Sequence, residues 1–355
     1  MYFKENNLNK KITILITAAG NVFMNGITSC LKNNGEKEVR LIGADMNDDP
    51  TMLSMFDKYY AVPKCDDPVY IDRLFEICKK EKVDVLLPIM SAELVDLAKE
   101  TERFKSIGTN ISVSNYNSVE IASDKLKLLT YMREKNMQCA EFYKVSNISE
   151  LEHAIEKLGY PNKKVCVKIA NGSGSRGFRI LDNNHTKLDA FLKGKPSSAV
   201  ITFEEFKSIV LEADKFPELI VMEYLPGEEY TVDLLADNGN VIISCCRKSL
   251  RMENSIMLDS VVIHNQQIEN MCSQIVSLLN LDGNIGFDIR EREDGTPIIM
   301  ECNPRITAGI SIFAHAGVNL PWLCIKKIYN EKIYPQNLKL GVIVKRRWME
   351  MFSCE

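Results

Sequence analysis

The residues whose spacing most clearly suggests chemistry lie in a hairpin near the carboxyl end of the sequence, over residues 286–305. Asp294-Gly295 predicts its turn, because this dipeptide is the strongest short-range hairpin signal. A two-residue turn there places Asp288 opposite Glu301, counting back along both strands. Side chains alternate between the two faces of a strand, so Asn303 lies on the same side as Glu301. The hairpin therefore brings three oxygen-bearing side chains together.

Two carboxylates directly opposite each other repel and destabilise a sheet. A bound Mg²⁺ removes that repulsion, and Asp288, Glu301 and Asn303 supply the oxygen ligands that it prefers. The other face of the hairpin is predicted to be core; its residues are Phe287, Ile289, Met300 and Cys302. The alternative is a surface hairpin whose acids point into water, and a register slip of one residue would break the predicted pairing.

A second candidate site is the glycine-rich segment between two predicted strands. Its residues are Gly172, Ser173, Gly174, Ser175, Arg176 and Gly177. The glycines let backbone N–H groups point at one anion, and the hydroxyl and guanidinium groups add donors. The Walker pattern with its following helix is absent. Lys168 lies one strand-length before the segment, so its ammonium can reach the same phosphates. The alternative is a flexible hairpin tip.

The segment from residue 221 to residue 230 is an apolar strand that runs into an acidic turn. A strand end of this kind can pair its backbone with the edge of an adenine. A carboxylate just beyond can hold a ribose. The alternative is a plain surface turn.

Basic side chains complete the candidate chemistry. Arg305 follows Asn303-Pro304, and the fixed φ of the proline projects it from a rigid point. A forked guanidinium beside a divalent cation suits a phosphoryl or carboxylate group. A second basic cluster, Arg247, Lys248 and Arg251, is predicted just after a strand at 241–245. The alternative for these residues is a solvated, charged turn.

The composition limits what kind of protein this is. The 355 residues suffice for two or three domains, and 45% hydrophobic with 26% charged residues is ordinary for a globular chain. A net charge of −4 argues against a nucleic-acid partner. Scattered cysteines without a CxxC pair, and only 4 histidines, give no zinc pattern and suit a reducing cytoplasm. The apolar stretch at 12–16 is too short to cross a membrane, so the predicted location is cytoplasmic.

The elements that must position these residues follow from periodicity. Strands and helices alternate up to about residue 115, which predicts an open, parallel α/β domain. A helix over Ser118–Lys135 follows, and strands with mixed helices then predict an α+β arrangement. The sequence is divided accordingly at 1–115, 116–225 and 226–355. The first glycine-containing turn, at residues 18–26, lacks the GxGxxG fingerprint, which argues against a nicotinamide-dependent oxidoreductase.

Taken in order, these segments resemble the ATP-grasp superfamily, in the branch similar to the large subunit of carbamoyl-phosphate synthase. The matching pieces are Asp124-Lys125, Val167-Lys168 with the glycine-rich segment, and the stretches 222–233, 286–291 and 300–305. The resemblance implies a pre-ATP-grasp α/β domain followed by a two-lobed ATP-grasp fold. The sequence departs from the family pattern in places: Ile169 stands where relatives often have proline, and Ser91 where they often carry an acid. The segment Gln138-Cys139-Ala140 lacks the proline that is common before the lid domain.

The resemblance also implies roles. Lys125 and Lys168 would contact ATP phosphates under a lid formed by residues 172–177, the strand end at 222–225 would meet adenine, and Glu229 would bind ribose. One or two Mg²⁺ ions, or Mn²⁺, would sit on Asp288, Glu301 and Asn303. Arg305 and Arg247 would stabilise the transferred phosphoryl group.

The activity implied by the resemblance is an ATP-dependent ligase that joins a carboxylate to an amine through an acyl-phosphate. Amino acids are the expected substrates, and relatives are often homodimers. Two alternatives stay open: an enzyme that phosphorylates bicarbonate or carbamate, and an ATP-binding sensor without turnover.

Overall fold

The computed structural model describes residues 11–170, 177–186, 188, 191–192, 199–253, 256–347 and 350. Its strands form three sheets. The first is fully parallel with the order β3-β2-β1-β4-β5. Its strands are β1 Ile12–Thr17, β2 Val39–Asp45, β3 Lys58–Ala61, β4 Val85–Leu87 and β5 Asn110–Ile111. Its helices are α1 Met24–Lys32, α2 Tyr70–Glu81, α3 Ser91–Lys99 and α4 Thr101–Lys105, with a 3-10 turn at Pro50–Ser54. This open parallel sheet is the one that the sequence predicts.

The second sheet is mixed, with the order β6-β10-β7-β8-β9. Its strands are β6 Phe142–Val145, β7 Val165–Ile169, β8 Arg179–Leu181, β9 Val200–Ile201 and β10 Leu219–Glu223. The helices of this region are α5 Tyr116–Ala122, α6 Lys125–Glu134, α7 Ile148–Lys157 and α8 Phe203–Val210.

The third sheet is antiparallel and has the order β15-β14-β11-β12-β13-β16. Its strands are β11 Glu229–Asp237, β12 Asn240–Glu253, β13 Ile256–Ile263, β14 Gly283–Glu291, β15 Pro297–Asn303 and β16 Ile343–Lys345. The accompanying helices are α9 Gln266–Leu278, α10 Ser311–His315 and α11 Leu320–Ile328. A parallel sheet followed by an antiparallel one agrees with the predicted α/β and α+β content.

The apolar cores link these layers. One core joins the first sheet to the last helices, with Ile14 and Leu87 packed in the same cluster as Phe313 and Trp322. A second core fills the space between α9 and the third sheet, and includes Phe287. A third joins the second sheet to the β14–β15 hairpin. Burial of these faces fixes the registers that position the polar side chains described below.

Three predicted elements differ in the structure. The single helix over Ser118–Lys135 is wrong: α5 ends at Ala122, and the Asp124 carboxylate caps a new helix by accepting from the Lys127 backbone N–H at 2.9 Å. A side chain that competes for backbone donors favours a cap over a helix interior.

The strand predicted at 241–245 is far too short, because β12 continues to residue 253 and pairs with both β11 and β13. Arg247, Lys248 and Arg251 therefore lie within a strand and not in a turn after it. Two neighbours supply the backbone hydrogen bonds that this length requires.

The turn of the β14–β15 hairpin also differs. The two-residue turn would pair Glu293 with Thr296, but the structure pairs the Arg292 N–H with the Thr296 carbonyl at 2.9 Å, and Gly295 takes φ +82°. A three-residue loop with glycine in the left-handed region is the other common Asp-Gly hairpin. A bulge at Met300 then restores the pairing of Asp288 with Glu301. Met300 consequently packs with the third core and leaves the face of Phe287.

None of the helices in the described ranges combines the length and the apolar composition that a bilayer-crossing helix requires.

Candidate active site

The candidate site is built on one cross-strand row of the third sheet. Glu301 of β15 lies opposite Asp288 of β14, Asp288 opposite Thr231 of β11, and Thr231 opposite Arg247 of β12. Residues that face each other across strands project to the same side of a sheet. The alternating neighbours Phe287 and Ile289 are fully buried on the other side. The row therefore gathers two carboxylates, a hydroxyl and a guanidinium on one face.

Asp288 is the centre of this row. Its Oδ1 accepts a hydrogen bond from Thr231 Oγ1 at 3.2 Å, and its Oδ2 accepts one from Asn303 Nδ2 at 3.2 Å. Burial, and then the charge of Glu301, raise the pKa of Asp288 to about 7, although Arg247 acts in the opposite direction. The predicted pairing of Asp288 with Glu301 is confirmed. The two carboxylates therefore repel each other.

The donor set fits a hard divalent cation. Asp288, Glu301 and Asn303 offer carboxylate and amide oxygens, which are ligands for Mg²⁺, and a cation between the acids would lower the raised pKa of Asp288. Within the described ranges, no group of three or more His, Cys, Asp or Glu side chains is placed to hold a metal ion. A metal here would therefore rely on the amide of Asn303 and on oxygens that a bound ligand brings.

Two lysines from other elements approach Glu301. Lys125 is the first residue of α6, and its Nζ lies 3.6 Å from Glu301 Oε2. Lys168 lies near the end of β7, and its Nζ lies 3.9 Å from the same oxygen. Burial, and then the charge of Lys125, lower the pKa of Lys168. Two cations crowded beside a single carboxylate form a site that favours a further anion.

Arg305 is held by its own segment and by the first helix after β4. Its Nη2 donates to Asn303 Oδ1 at 2.9 Å, its Nη1 to the Ile306 carbonyl at 3.0 Å, and its Nε to Ser91 Oγ at 3.1 Å. Ser91 begins α3, so the first sheet contributes to the position of this guanidinium. Burial lowers the pKa of Arg305. Ser91, the residue that departs from the family pattern, thus accepts a hydrogen bond where an acid would form an ion pair.

Arg247 is more deeply placed, with only 5% of its surface exposed. Its Nη2 lies 3.9 Å from Oδ2 of the buried Asp233, whose Oδ1 accepts from Thr307 Oγ1 at 2.5 Å. Gly309 leaves the room that this guanidinium occupies, because a Cβ there would fall 1.4 Å from Arg247 Nη1. The structure therefore places Arg247 within the cross-strand row and not on the surface. For the reaction proposed below, we call this row, with the two lysines beside Glu301, the reaction face.

The predicted adenine-binding strand end has a different character. Met222 and Leu225 are buried in the core between the second sheet and the hairpin. Glu223 is fully engaged: Arg292 donates to both of its oxygens, from Nε at 2.9 Å and from Nη2 at 2.6 Å. Tyr224 is only partly buried, at the rim of this core. The Glu223 carboxylate is therefore occupied, and its N–H donates to the Glu141 carbonyl at 3.0 Å. A contact of this strand end with adenine stays a prediction, and it would fall to the backbone beyond Glu223.

Glu229, predicted to bind ribose, is the first residue of β11 and is paired with Arg290 of β14. Arg290 Nη2 donates to Glu229 Oε2 at 2.6 Å. The second carboxylate oxygen of Glu229 carries no such bond to Arg290. A contact between Glu229 and ribose stays a prediction, and it would have to coexist with this ion pair.

Most of the glycine-rich segment lies outside the described residues, namely Gly172, Ser173, Gly174, Ser175 and Arg176. Gly177 is described and has φ +69°. A Cβ on it would fall 2.4 Å from Ile169 Cδ1, so the close approach of Ile169 requires glycine there. Ile169, which stands where relatives often have proline, thus packs against Gly177.

Sequence reasoning missed four polar residues of this face: Thr231, Asp233, Arg290 and Arg292. The signal was available for the first two, because they alternate with Glu229 along one strand and so share its face. Arg290 and Arg292 carried no local signal, since their partners Glu229 and Glu223 are distant in sequence.

Two family models match parts of this chain. The family model described as "ATP-grasp in the biosynthetic pathway with Ter operon" matches residues 215–349. The model described as "PylC-like, N-terminal domain" matches residues 14–112. The chain has the ATP-grasp fold. The predicted ATP-grasp architecture, with a preceding α/β domain, is therefore confirmed.

Individual relatives agree with this ATP-grasp assignment. The "Carbamoyl phosphate synthase large chain, N-terminal section" of Aquifex aeolicus (strain VF5) is 24% identical over 326 residues, which are 85% of this chain and 53% of that protein. The chain thus spans about half the length of this curated relative. The resemblance to carbamoyl-phosphate synthase that the motifs indicated is confirmed.

Two solved structures share the ATP-grasp fold at low identity. N5-carboxyaminoimidazole synthetase from Staphylococcus aureus complexed with ADP has a TM-score of 0.66 at 16% identity, covering 94% of this chain and 83% of that chain. The L-amino acid ligase from Bacillus licheniformis has a TM-score of 0.66 at 16% identity, covering 91% and 74%. At these identities the likeness shows the fold.

Proposed function

We propose that this protein is an ATP-dependent ligase that joins a carboxylate to an amine through an acyl-phosphate and releases ADP and phosphate. The observation that carries the proposal is the convergence of Lys125 and Lys168, at 3.6 and 3.9 Å, on the carboxylate of Glu301 beside Asp288. Cations beside paired carboxylates are the parts that phosphoryl transfer requires. The names of the relatives, which include an amino acid ligase, support the same class.

The proposal assigns a task to each group. The lysines bind the phosphates of ATP, residues 222–225 meet the adenine, and Glu229 holds the ribose. Asp288, Glu301 and Asn303 hold Mg²⁺, or Mn²⁺, which supplies charge neutralisation on the transferred phosphoryl group when it is bound. Residues 172–177 cover the phosphates. In the division into residues 1–115, 116–225 and 226–355, the last part supplies the acidic residues and the arginines, and the middle part supplies the two lysines and the covering segment.

The chemical course follows from these positions. The carboxylate of the acid substrate attacks the γ-phosphorus of ATP, the bond to the β-γ bridging oxygen breaks, and ADP leaves. Arg305, with Arg247 behind it, stabilises the negative charge of the acyl-phosphate. The amine then attacks the acyl carbon, loses a proton and expels inorganic phosphate, and an amide remains. No side-chain nucleophile is needed, because the substrate carboxylate fills that role.

The test is ADP release from Mg·ATP in the presence of amino acids and small carboxylic acids, singly and in pairs. A ligase gives release that depends on one acid and one amine. Hydroxylamine in place of the amine should trap the acyl-phosphate as a hydroxamate of the acid. Release with bicarbonate alone and no hydroxamate would favour the bicarbonate-phosphorylating alternative, and ATP binding without any release would favour the sensor.

A matched pair of variants ties that activity to the site. Lys168→Met removes a partly buried ammonium beside Glu301, and we expect a loss of turnover of about 100-fold or more. Lys144→Met removes an exposed ammonium on β6 of the same sheet, which pairs with Glu218 at 2.6 Å. We expect Lys144→Met to keep normal turnover. Equal activity of the two variants would contradict the phosphate-binding role of Lys168.

A further inference from the structure

Three guanidinium groups meet where the first sheet faces the third, and we call Arg247, Arg305 and Arg346 the arginine cluster. All three contact the loop that follows β15. Arg305 Nη1 donates to the Ile306 carbonyl at 3.0 Å and Arg346 Nη2 to the Ala308 carbonyl at 2.8 Å. Arg247 lies directly over Gly309. The loop therefore fixes the three cations in one place.

Among the described residues, the guanidinium groups of the arginine cluster form no close ion pair. In the ranges that the structure describes, the only carboxylate partner of the arginine cluster within 4.0 Å is Asp233, and that contact to Arg247 is long at 3.9 Å. The other arginines of the same sheet differ: Arg290 pairs with Glu229 at 2.6 Å, and Arg251 with Asp259 at 3.1 Å. A partly buried cation without a partner is costly, so an excess of this kind indicates a site for an anion.

Arg346 is the member of the arginine cluster that the proposed reaction leaves without a task. It is held by backbone carbonyls, through Nη1 to Met257 at 2.9 Å and Nη2 to Ala308, and its guanidinium lies 4.4 Å from the ring of Phe23. Burial, and then the charge of Arg247, lower its pKa to about 10. Phe23 lies just before α1, so both sheets frame this guanidinium. A planar, preoriented fork of this kind suits a carboxylate or a phosphate.

We propose that Arg346 binds an anionic group of the acid substrate other than the carboxylate that receives the phosphoryl group. The acid substrate then carries at least two acidic groups, the second being a carboxylate or a phosphate. The charge count supports this step: Arg305, Arg247 and the two lysines serve the transferred phosphoryl group, Asp233 lies 3.9 Å from Arg247, and Arg346 has no carboxylate within 4.0 Å among the described residues. This inference rests on the proposed ligase function, since it specifies the substrate of that reaction.

The first experiment measures binding without turnover. The thermal unfolding midpoint of the full chain is followed in Mg·ADP with succinate, inorganic phosphate or acetate at equal ionic strength. We expect succinate or phosphate to raise the midpoint of the wild type more than acetate does, and the Arg346→Met substitution to remove that extra rise. Arg347→Met is the matched control, because Arg347 is exposed and belongs to a surface pair with Asp259. A phosphate-specific or a succinate-specific rise identifies the second group.

The second experiment uses the ADP-release assay. With the best acid found, Arg346→Met should raise the KM for the acid by about 10-fold or more while kcat and the KM for ATP change by less than about threefold. Arg346→Lys keeps the charge but loses the forked geometry, so its KM for the acid should lie between those of the wild type and Arg346→Met. An intermediate KM in this charge-preserving variant shows that the effect does not come from poor folding of Arg346→Met.

The outcomes separate the two proposals. An equal rise in midpoint in the wild type and Arg346→Met, or no rise beyond that of acetate in the wild type, overturns the anion site whatever the activity. A best substrate with a single carboxylate and an unaffected Arg346→Met also overturns it and leaves the ligase standing. Failure of every acid and amine pair to release ADP overturns the ligase, while the binding experiment still decides the arginine cluster.

Discussion

Two groups of charged residues differ in how their charges are balanced: those at the strand end predicted to bind the nucleoside, and those of the reaction face. At the strand end predicted to meet adenine, Arg292 donates to Glu223 at 2.6 and 2.9 Å, and Arg290 to Glu229 at 2.6 Å. On the reaction face, Lys125 and Lys168 stay at 3.6 and 3.9 Å from Glu301. Short, complete pairs hold the scaffold in shape, whereas long and unequal contacts leave charge for a ligand.

The repulsion within the reaction face supports this distinction. The pKa of Asp288 is raised by burial and by Glu301, and the pKa of Lys168 is lowered by burial and by Lys125. Each shift disfavours the charged form that catalysis would use. A bound nucleotide and its cation would reverse both, because phosphate favours the ammonium and the cation favours the carboxylate. The predictions below therefore compare residues of the balanced and unbalanced groups.

The largest effect is expected for Glu301→Gln, which keeps the shape of the side chain and removes its charge. We expect ATP turnover to fall by about 100-fold or more, because the lysines and the cation lose their shared carboxylate. Circular dichroism and the unfolding midpoint should show a folded protein. Steady-state ADP release measures the effect.

The control for this variant is Glu293→Gln, at the exposed tip of the same hairpin. Its turnover should match that of the wild type. Turnover of Glu301→Gln within about threefold of the control would mean that the carboxylate takes no part in the reaction.

Asp288→Asn should separate stability from activity. The pKa of Asp288 is about 7 in the folded protein and about 4 when unfolded. Between these values the folded state binds the extra proton, so stability falls as pH rises through this window. Removal of the charge should therefore stabilise the cation-free protein by about 1–2 kcal/mol at pH 8, a screened fraction of the full shift, and by much less at pH 4.

The measurement for Asp288→Asn is urea unfolding at pH 4 and pH 8 in the presence of a chelator, with ADP release followed in parallel. We expect greater stability at pH 8 together with a large loss of Mg²⁺-dependent turnover. A variant less stable than the wild type at pH 8 would show that the raised pKa is not a source of strain in the folded protein.

The balanced group should respond in the opposite way. Arg292→Met removes the three hydrogen bonds to Glu223 and the one from Nη2 to the Cys139 carbonyl at 3.3 Å. We expect a loss of about 1–3 kcal/mol in the free energy of unfolding, because Glu223 is left without its partner. Turnover at saturating ATP should change by less than about threefold, with a modest rise in the KM for ATP. Urea unfolding and ADP-release kinetics measure the two quantities.

Arg103→Met is a suitable comparison, since Arg103 pairs with Asp72 at 2.6 Å on an exposed surface. Exposed pairs contribute little, so its stability should change by less than about 0.5 kcal/mol. A large loss of kcat in Arg292→Met with unchanged stability would place Arg292 in the reaction and not in the scaffold.

The sequence predicts the pairing of Asp288 with Glu301 correctly, but from a turn that the structure does not use. A two-residue turn and a three-residue turn both suit Asp294-Gly295, and the structure uses the longer one. The bulge at Met300 then shifts the register back by one residue, so Asp288 still faces Glu301. The local sequence cannot distinguish a hairpin with both of these shifts from one with neither. The bulge depends on long-range packing, because Ile298 and Ile299 enter two different cores.

Long-range pairing explains the other misses. Periodicity identified the parallel strands β1 and β2, whose apolar residues are buried on both faces. It missed the length of β12, whose charged stretch is held in a strand by neighbours on both sides. The meeting of Arg346 with Arg247 and Arg305 could not be predicted for the same reason, because Arg346 reaches the loop at 308 only through the pairing of β16 with β13.

The smallest effect is expected for Ser91→Ala, which tests how the first sheet assists the reaction face. Arg305 loses the acceptor of its Nε at 3.1 Å but keeps Asn303 Oδ1 and the Ile306 carbonyl. One neutral hydrogen bond is worth about 1 kcal/mol, so turnover should fall by roughly threefold to fivefold without a change in stability. The control is Ser106→Ala, which changes an exposed serine of the same layer and should leave turnover unchanged. A loss as large as that of Glu301→Gln would show that Arg305 depends on the first sheet for its whole orientation, and the balance of charge alone would no longer explain the site.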